Sequence, residues 1–333
     1  MGVQKRVPGL DGLRGIAILL VLLFHLDPYG LVKGGSYGVT VFFVLSGFLI
    51  TSILLGRPRL VAFYKRRAMR LLPPLLIFCV VMLLVGTPWA DVWPGLFYVA
   101  SIVRIDHPPS TPVVDHLWSL SVEEHFYLVW PWFLAFFRQN RVQVFGLALT
   151  VAALWRLHLM LDTLPERIYF ATDTNAFALL AGCWLAAVHH QEPLIPRRYD
   201  ILAVFGVVVA SMAFGMFETP VLHLWGTFSV VVLSLLAVRA AMSPEGVLNV
   251  GWLRWLGVIS YALYLWHPYL MQVFEPRLGV LAAIGVASVS WLLIERPLLE
   301  RHRVRNEKKL LSPWHRERGG EQSWKGLLDP NES

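Results

Sequence analysis

Apolar windows recur along the chain near residues 13–31, 38–56, 71–88, 117–137, 142–162, 170–188, 201–218, 220–240, 252–274 and 277–295. A window of this kind can cross about 30 Å of hydrocarbon at ~1.5 Å per residue, and tilt or polar flanks accommodate the shorter ones. The pattern predicts an all-α integral membrane protein, a bundle of about ten transmembrane helices. Residues 89–116 break the pattern with an apolar patch too short to span, bounded by prolines that end helices. This segment reads as an outer loop with a re-entrant or interfacial piece, either purely structural or a lid over a site. Beyond residue 301 the chain turns polar and charged. The expected organisation is therefore a membrane domain over 1–300 and a basic, loosely ordered cytoplasmic tail over 301–333. No internal repeat is visible, so the inverted-repeat plan of many transporters gains no support.

Composition agrees with the pattern: 56% of residues are hydrophobic, 15% are charged and 14 are Trp, with a mean hydropathy of +0.57. Cytoplasmic loops collect Lys and Arg. With ten spans and the N-terminus inside, 24 of the 29 basic residues fall on the inner side, Lys33, Arg104, Arg167 and Arg277 fall outside, and Arg156 lies within a span. Both termini are then cytoplasmic, and the net charge of +7 is mostly a topological signal with an attraction to anionic lipid. It is no argument for nucleic acid. The first window lacks a small-residue cleavage pattern and is read as a retained span. Cys79 and Cys183 both lie in apolar segments, where neither a disulfide nor a metal site is expected.

Against this background, polar residues inside the windows stand out. Arg14 and His25 are eleven residues apart and return to nearly the same helix face at ~100° per residue. An Arg at a helix centre costs roughly 2.5–3.5 kcal/mol on insertion scales, so such groups face a bundle interior or a water-filled cavity. Ser119, Glu123 and Tyr127, spaced by four, form a second stripe in the outer half of the fourth window. Ser260, Tyr264 and His267 form a third near the outer end of the ninth. Depth counting places His25, Glu123 and His267 at one level, which suits an acid–base site or a proton relay. Taken singly, each has a plainer explanation: an interhelical hydrogen bond, an ion pair with an Arg, an interfacial anchor. On the inner side, Arg66, Arg67 and Arg70 gather beside the level of Arg14. They read either as an inside anchor or as a phosphate site, since guanidinium forks fit phosphate oxygens.

Several ordered motifs carry a resemblance that covers nearly the whole membrane region. They are Leu10-Asp11-Gly12-Leu13-Arg14-Gly15 running on to His25, Gly38 to Thr51 with Ser46-Gly47-Phe48, Phe63 to Arg70, His116 to Glu124, Tyr261 to Pro268, and Ile294-Glu295-Arg296-Pro297. Together they resemble the membrane acyltransferase-3 family of O-acetylase type. The resemblance implies a ten-helix enzyme of the bacterial cytoplasmic membrane that moves an acyl group, usually acetyl, from cytoplasmic acyl-coenzyme A to a hydroxyl of a glycan or glycosylated natural product. It implies no permanently bound cofactor and no metal. Carried over residue by residue, His25 is the catalytic histidine with Arg14 its companion, Arg66, Arg67 and Arg70 match the basic motif, and Glu123 matches the acidic position of the fourth helix. Asp11, Ser46, Ser119, Tyr127, Asp173, Tyr264 and His267 are supporting candidates.

The chain departs from the family pattern at Asn175, where many relatives carry the Arg of an Asp-x-Arg motif beginning at Asp173, and at His125, where Gln is frequent. The expected chemistry is direct transfer, with His25 as general base and Glu123 orienting the imidazole. A transient acyl-His is the alternative route. Ser46 has no base beside it in sequence and reads as a backbone-approach or helix-packing residue. A proton-coupled exporter or flippase is the competing function, because intramembrane His, Glu and Arg serve it equally.

Overall fold

The computed structural model describes residues 7–27, 34, 37–56, 59–162, 165–197, 199–214, 220–244 and 246–301. The expected tail lies outside the described residues apart from Arg301. All the regular elements among the described residues are helices, with no strand. The helices are α1 (Pro8–Leu26), α2 (Tyr37–Leu55), α3 (Leu60–Leu84), α4 (Trp89–Leu96), α5 (Ala100–Asp106), α6 (Leu117–Phe136) and α7 (Arg141–Asp162), followed by α8 (Pro165–Phe170), α9 (Thr172–Gln191), α10 (Ile201–Ala213), α11 (Pro220–Ala241), α12 (Gly251–Val273) and α13 (Pro276–Ser290). Each of the ten apolar windows overlaps one of these helices. Six of them are long and apolar enough to cross a membrane: α1, α2, α3, α7, α11, and α13 with its continuation to Arg301. α6 and α12 are of similar length but carry the polar side chains of the site. Leu76, Val80 and Leu84 on α3, Trp132 and Phe136 on α6, and Leu147, Val151 and Leu154 on α7 are exposed. Apolar surface of this extent suits lipid rather than water.

Helix limits differ from the windows where polar residues begin a helix. α1 starts at Pro8, five residues before its window, because Pro is pre-organised for the first turn and Asp11 favours the N-terminal dipole. α3 starts at Leu60, so Phe63 to Arg70 forms its first turns rather than leading into it. Hydropathy alone does not see a helix whose opening turns are cationic.

Two close contacts set the frame. α1 packs along α12, and α2 along α9. A Cβ at Gly257 of α12 would collide with the Asp11 carbonyl oxygen, and Cβ atoms at Gly47 and Gly182 would collide with the Leu179 and Val44 carbonyl oxygens. Small residues are what allow backbones to meet when lipid offers no hydrophobic drive to pack helices. The backbone approach expected of Ser46 is thus made by its neighbour Gly47. Cys79 and Cys183 are buried and free.

The 89–116 segment is ordered. It folds into α4, α5 and a 3-10 turn (Pro112–Val114), with Val92, Ser101, Val113 and Val114 buried. Asp91 at the head of α4 accepts hydrogen bonds from the backbone and side chains of Ser110 and Thr111 at 2.6–3.2 Å, closing this segment on itself.

Candidate active site

Two cavities lie back to back inside the bundle. The first, about 220 Å3, is ringed by Arg14, Arg66, Arg67 and Arg70, with Ser46, Glu123 and Tyr127 in its wall. The second, about 550 Å3, holds His25, His116 and His267, with Arg104 and Asp115 of the 89–116 segment at its side. Val39 and Tyr264 line both. Three helices run past the pair. α1 gives Arg14 to the first cavity and His25 to the second, ~16 Å apart along the axis. α6 brings Ser119, Glu123 and Tyr127 to the first, the predicted stripe, while His116 just before it faces the second. α12 brings Ser260 and Tyr261 to the first and His267 to the second.

The hydrogen bond of His25 fixes which ring nitrogen is basic. Its Nδ1 lies 2.8 Å from the Val21 carbonyl oxygen, one turn back on α1. A carbonyl only accepts, so Nδ1 carries the hydrogen and Nε2 keeps its lone pair. The ring meets His267 edge to face, with centroids 4.8 Å apart, and His116 lies 5.6 Å from His267 on another side. His267 is fully buried. Its Nδ1 is held by the Tyr264 carbonyl oxygen at 2.8 Å, and its Nε2 has no hydrogen-bond partner among the described residues. Sequence reasoning placed His25 and His267 together correctly. It missed His116 as a site residue, because that residue sits at the entry to a helix rather than inside an apolar window; its place three residues before Ser119, in line with the polar stripe of α6, was the available signal.

Glu123 is elsewhere. The expectation that it shares the level of His25 and orients its imidazole is corrected by its contacts: Ser46 Oγ donates to Glu123 at 2.5 Å, and Arg67 lies 3.8 Å away. α1 ends at Leu26 rather than near residue 31, so His25 lies in its last turn, closer to the helix end than the window implies. Ser46, judged without a base from its sequence neighbours, has a carboxylate against it from a different helix. Arg67 also pairs with Glu124 at 2.6 Å and lies 3.4 Å over the Tyr127 ring. Both carboxylates claim its guanidinium, so Arg67 is a strut of the cavity more than a free anion ligand. Below it, Tyr64 donates to the Tyr127 carbonyl oxygen at 3.1 Å. Pro131 leaves that carbonyl without its helical partner, since Pro has no N–H to give four residues back.

Arg66, Arg70 and Arg14 are the cations with capacity to spare. Arg66 is exposed at the mouth. Arg14 Nε is buried without a hydrogen-bond partner among the described residues, and Arg70 shares the electrostatic neighbourhood of Arg14, Asp11 and Glu295. Glu295 is fully buried in the π-helical turn Trp291–Glu295 that continues α13, where Ser290 Oγ donates to it at 3.2 Å. Such turns re-aim a side chain within a helix and recur at functional sites.

Asp173 belongs to neither cavity. Arg167 grips it with two hydrogen bonds of 2.7 and 2.8 Å and Trp155 adds a third at 2.8 Å, which makes it a clamp between α7, α8 and α9. Asn175 donates to the carbonyl oxygens of Tyr169 and Ala171 at 2.6 and 2.8 Å, so the amide holds the turn into α9. His125 Nδ1 meets the Thr172 hydroxyl at 2.9 Å. In the second cavity Arg104 forms an ion pair with Asp115, and its guanidinium lies 3.3 Å over the Phe170 ring. Among the described residues there is no cluster of His, Cys, Asp and Glu able to hold a metal ion.

These observations define a multi-pass membrane protein with a cation-lined cavity backed onto an imidazole-lined one. The chain belongs to the acyltransferase family: the family model described as an acyltransferase domain matches residues 7–294. It is 32% identical over 350 residues to the peptidoglycan O-acetyltransferase OatA of Listeria monocytogenes, across 89% of this chain and 56% of the relative. It is 30% identical over 346 residues to the O-acetyltransferase OatA of Staphylococcus aureus, across 88% of this chain and 57% of the relative. The chain therefore spans little more than half the length of these relatives. No solved structure matches it.

Proposed function

We propose that the protein is a membrane O-acyltransferase that moves an acyl group, acetyl first of all, from acyl-coenzyme A to a hydroxyl of a cell-envelope glycan. The carrying observation is the shared wall between two cavities of complementary chemistry. Arg14, Arg66 and Arg70 suit the phosphates of the donor, and the buried, unpartnered Nε of Arg14 is the kind of donor that an anion would satisfy. The second cavity offers a neutral imidazole base to an acceptor hydroxyl. The names of the relatives support a glycan as that acceptor. In this reading ten helices span the bilayer with both termini cytoplasmic, as the split of Lys and Arg supports, and the donor binds from the cytoplasm.

The chemistry then follows from the His25 tautomer. Nε2 takes the hydroxyl proton as the oxygen attacks the thioester carbonyl; the carbon–sulfur bond breaks, and the departing thiolate takes the proton back from the imidazolium. Glu123 and Ser46 act on the donor side by holding Arg67.

The test uses the full chain reconstituted in vesicles, with acyl-labelled acetyl-coenzyme A and a soluble glycan oligosaccharide. Label on the glycan, lost in His25→Ala, is the expected result. Glycan carried across the membrane without label would overturn the proposal in favour of an exporter.

A further inference from the structure

Among the described residues the two cavities share two lining side chains, Val39 of α2 and Tyr264 of α12, each 7% exposed. The Tyr264 hydroxyl is latched twice across to the α6 region: it lies 2.8 Å from Ser119 Oγ and donates to the His116 carbonyl oxygen at 3.1 Å. Its ring packs against His116 at 5.2 Å and His267 at 5.5 Å between centroids. Leu263 and Leu265 on either side are fully buried, which holds the helix backbone and leaves the side chain as the movable part.

We infer that Tyr264, closed against Val39, is the septum that the acyl end of the donor must pass to reach His25, and that it sets the acyl chain length the protein accepts. The inference rests on the proposed transfer reaction, since it is the separation of the cations from His25 that makes a passage necessary. A ring hinged at its own Cα and held by two hydrogen bonds can swing aside at modest cost, because the net contribution of a typical hydrogen bond is small. A short acyl group needs only the space that the ring vacates. A longer one must displace Val39 and the imidazoles as well, and packed interiors resist added methylenes. The contact with His116 and His267 also means that moving the ring disturbs the neighbours of His25, so opening of the septum and readiness of the base are linked.

Two measurements test this. In the first, Tyr264→Ala and Val39→Ala are compared with the unaltered protein on acetyl-, butanoyl- and hexanoyl-coenzyme A. Enlarging the passage is expected to shift the hexanoyl-to-acetyl ratio by roughly tenfold or more, the scale at which pockets discriminate methylenes. An unchanged ratio in either folded, active variant overturns the assignment. In the second, His25→Cys is placed in a Cys79→Ala/Cys183→Ala background in vesicles and exposed to a membrane-impermeant cationic methanethiosulfonate on the face where Arg66→Cys is labelled. Label at position 25 only when Tyr264→Ala is added supports the septum; equal labelling with and without that change overturns it. The second measurement needs no donor. If no coenzyme A thioester is used at all, the transfer reading fails while the labelling still judges the septum.

Discussion

His267 Nδ1 lies 2.8 Å from the carbonyl oxygen of Tyr264, three residues back on the same helix. That oxygen is available because Pro268, four residues after Tyr264, has no N–H to complete the helical hydrogen bond. Tyrosine, histidine and proline in this order therefore fix the tautomer of a buried imidazole, with its Nε2 left as acceptor. The same device recurs where Pro131 frees the Tyr127 carbonyl for Tyr64. In both places a side chain takes over the carbonyl that a proline leaves free.

His25 is the first prediction. With Nδ1 bonded to the Val21 carbonyl, Nε2 is the nitrogen of this ring that keeps its lone pair, so His25→Gln, which restores a polar atom but no base, is expected to lower transfer about 10²–10⁴-fold. Binding of acetyl-coenzyme A, read by equilibrium dialysis, is expected to stay within about twofold, because the donor cations lie in the other cavity. Loss of donor binding equal to the loss of rate would count against this division of labour.

Glu123 separates the sequence expectation from the structure. Were it the orienting partner of His25, Glu123→Gln would shift the pH–rate profile. With Glu123 hydrogen-bonded to Ser46 and 3.8 Å from Arg67, the change is expected to raise the KM for the donor and leave the shape of the profile alone. Steady-state kinetics across pH distinguish the two.

The three arginines of α3 are expected to behave differently. Arg66→Gln and Arg70→Gln should each weaken the donor by roughly tenfold, about the value of one charge-assisted hydrogen bond. Arg67→Gln should instead lower the apparent unfolding temperature, because Glu123 and Glu124 would lose their common cation. Thermal unfolding in detergent beside donor titration reads both.

Much of this was legible in the sequence. Every apolar window became a helix because a window of such length has no other way to satisfy its backbone in lipid. The spacing of Ser119, Glu123 and Tyr127 gave one face of α6, since i, i+4 positions share a face wherever the helix begins. What the sequence could not supply was the vertical offset between helices. That offset depends on where glycines such as Gly47 and Gly257 let backbones touch, and it decided that Glu123 meets Ser46 rather than His25. His116 escaped notice for a related reason: its place in the second cavity depends on the fold of residues 89–116, whose short helices carry no strong periodicity.

Asp200, at the head of α10 and outside the spans, gives a pH prediction. Burial pushes its carboxyl up, but hydrogen bonds from Arg239 at 2.6 and 2.7 Å and from the Arg197 backbone at 2.8 Å outweigh it and hold the group below its ordinary range. A carboxyl depressed in the folded state contributes stability above its unfolded value, about 3.9, and loses it as pH falls through the lower folded value. Acid unfolding of the unaltered protein should therefore steepen below about pH 4, and Asp200→Asn should remove that part of the slope. A slope identical in the two proteins would show that the pair contributes nothing.

Pro268→Ala reverses the sign usual for a site mutation. Alanine in a helix interior is favoured over proline by about 3 kcal/mol on intrinsic propensity, so α12 should become more stable, with a higher apparent unfolding temperature. The new N–H at position 268 would compete for the Tyr264 carbonyl, release His267 Nδ1 and let the imidazole take either tautomer. Transfer is then expected to fall by roughly tenfold or more, as it does when a catalytic imidazole's neighbours lose their orientation. A variant more stable and equally active would mean that the Tyr264 carbonyl does not govern the imidazole pair; a variant more stable and slower would place the purpose of Pro268 in the tautomer of His267 rather than in the shape of the helix.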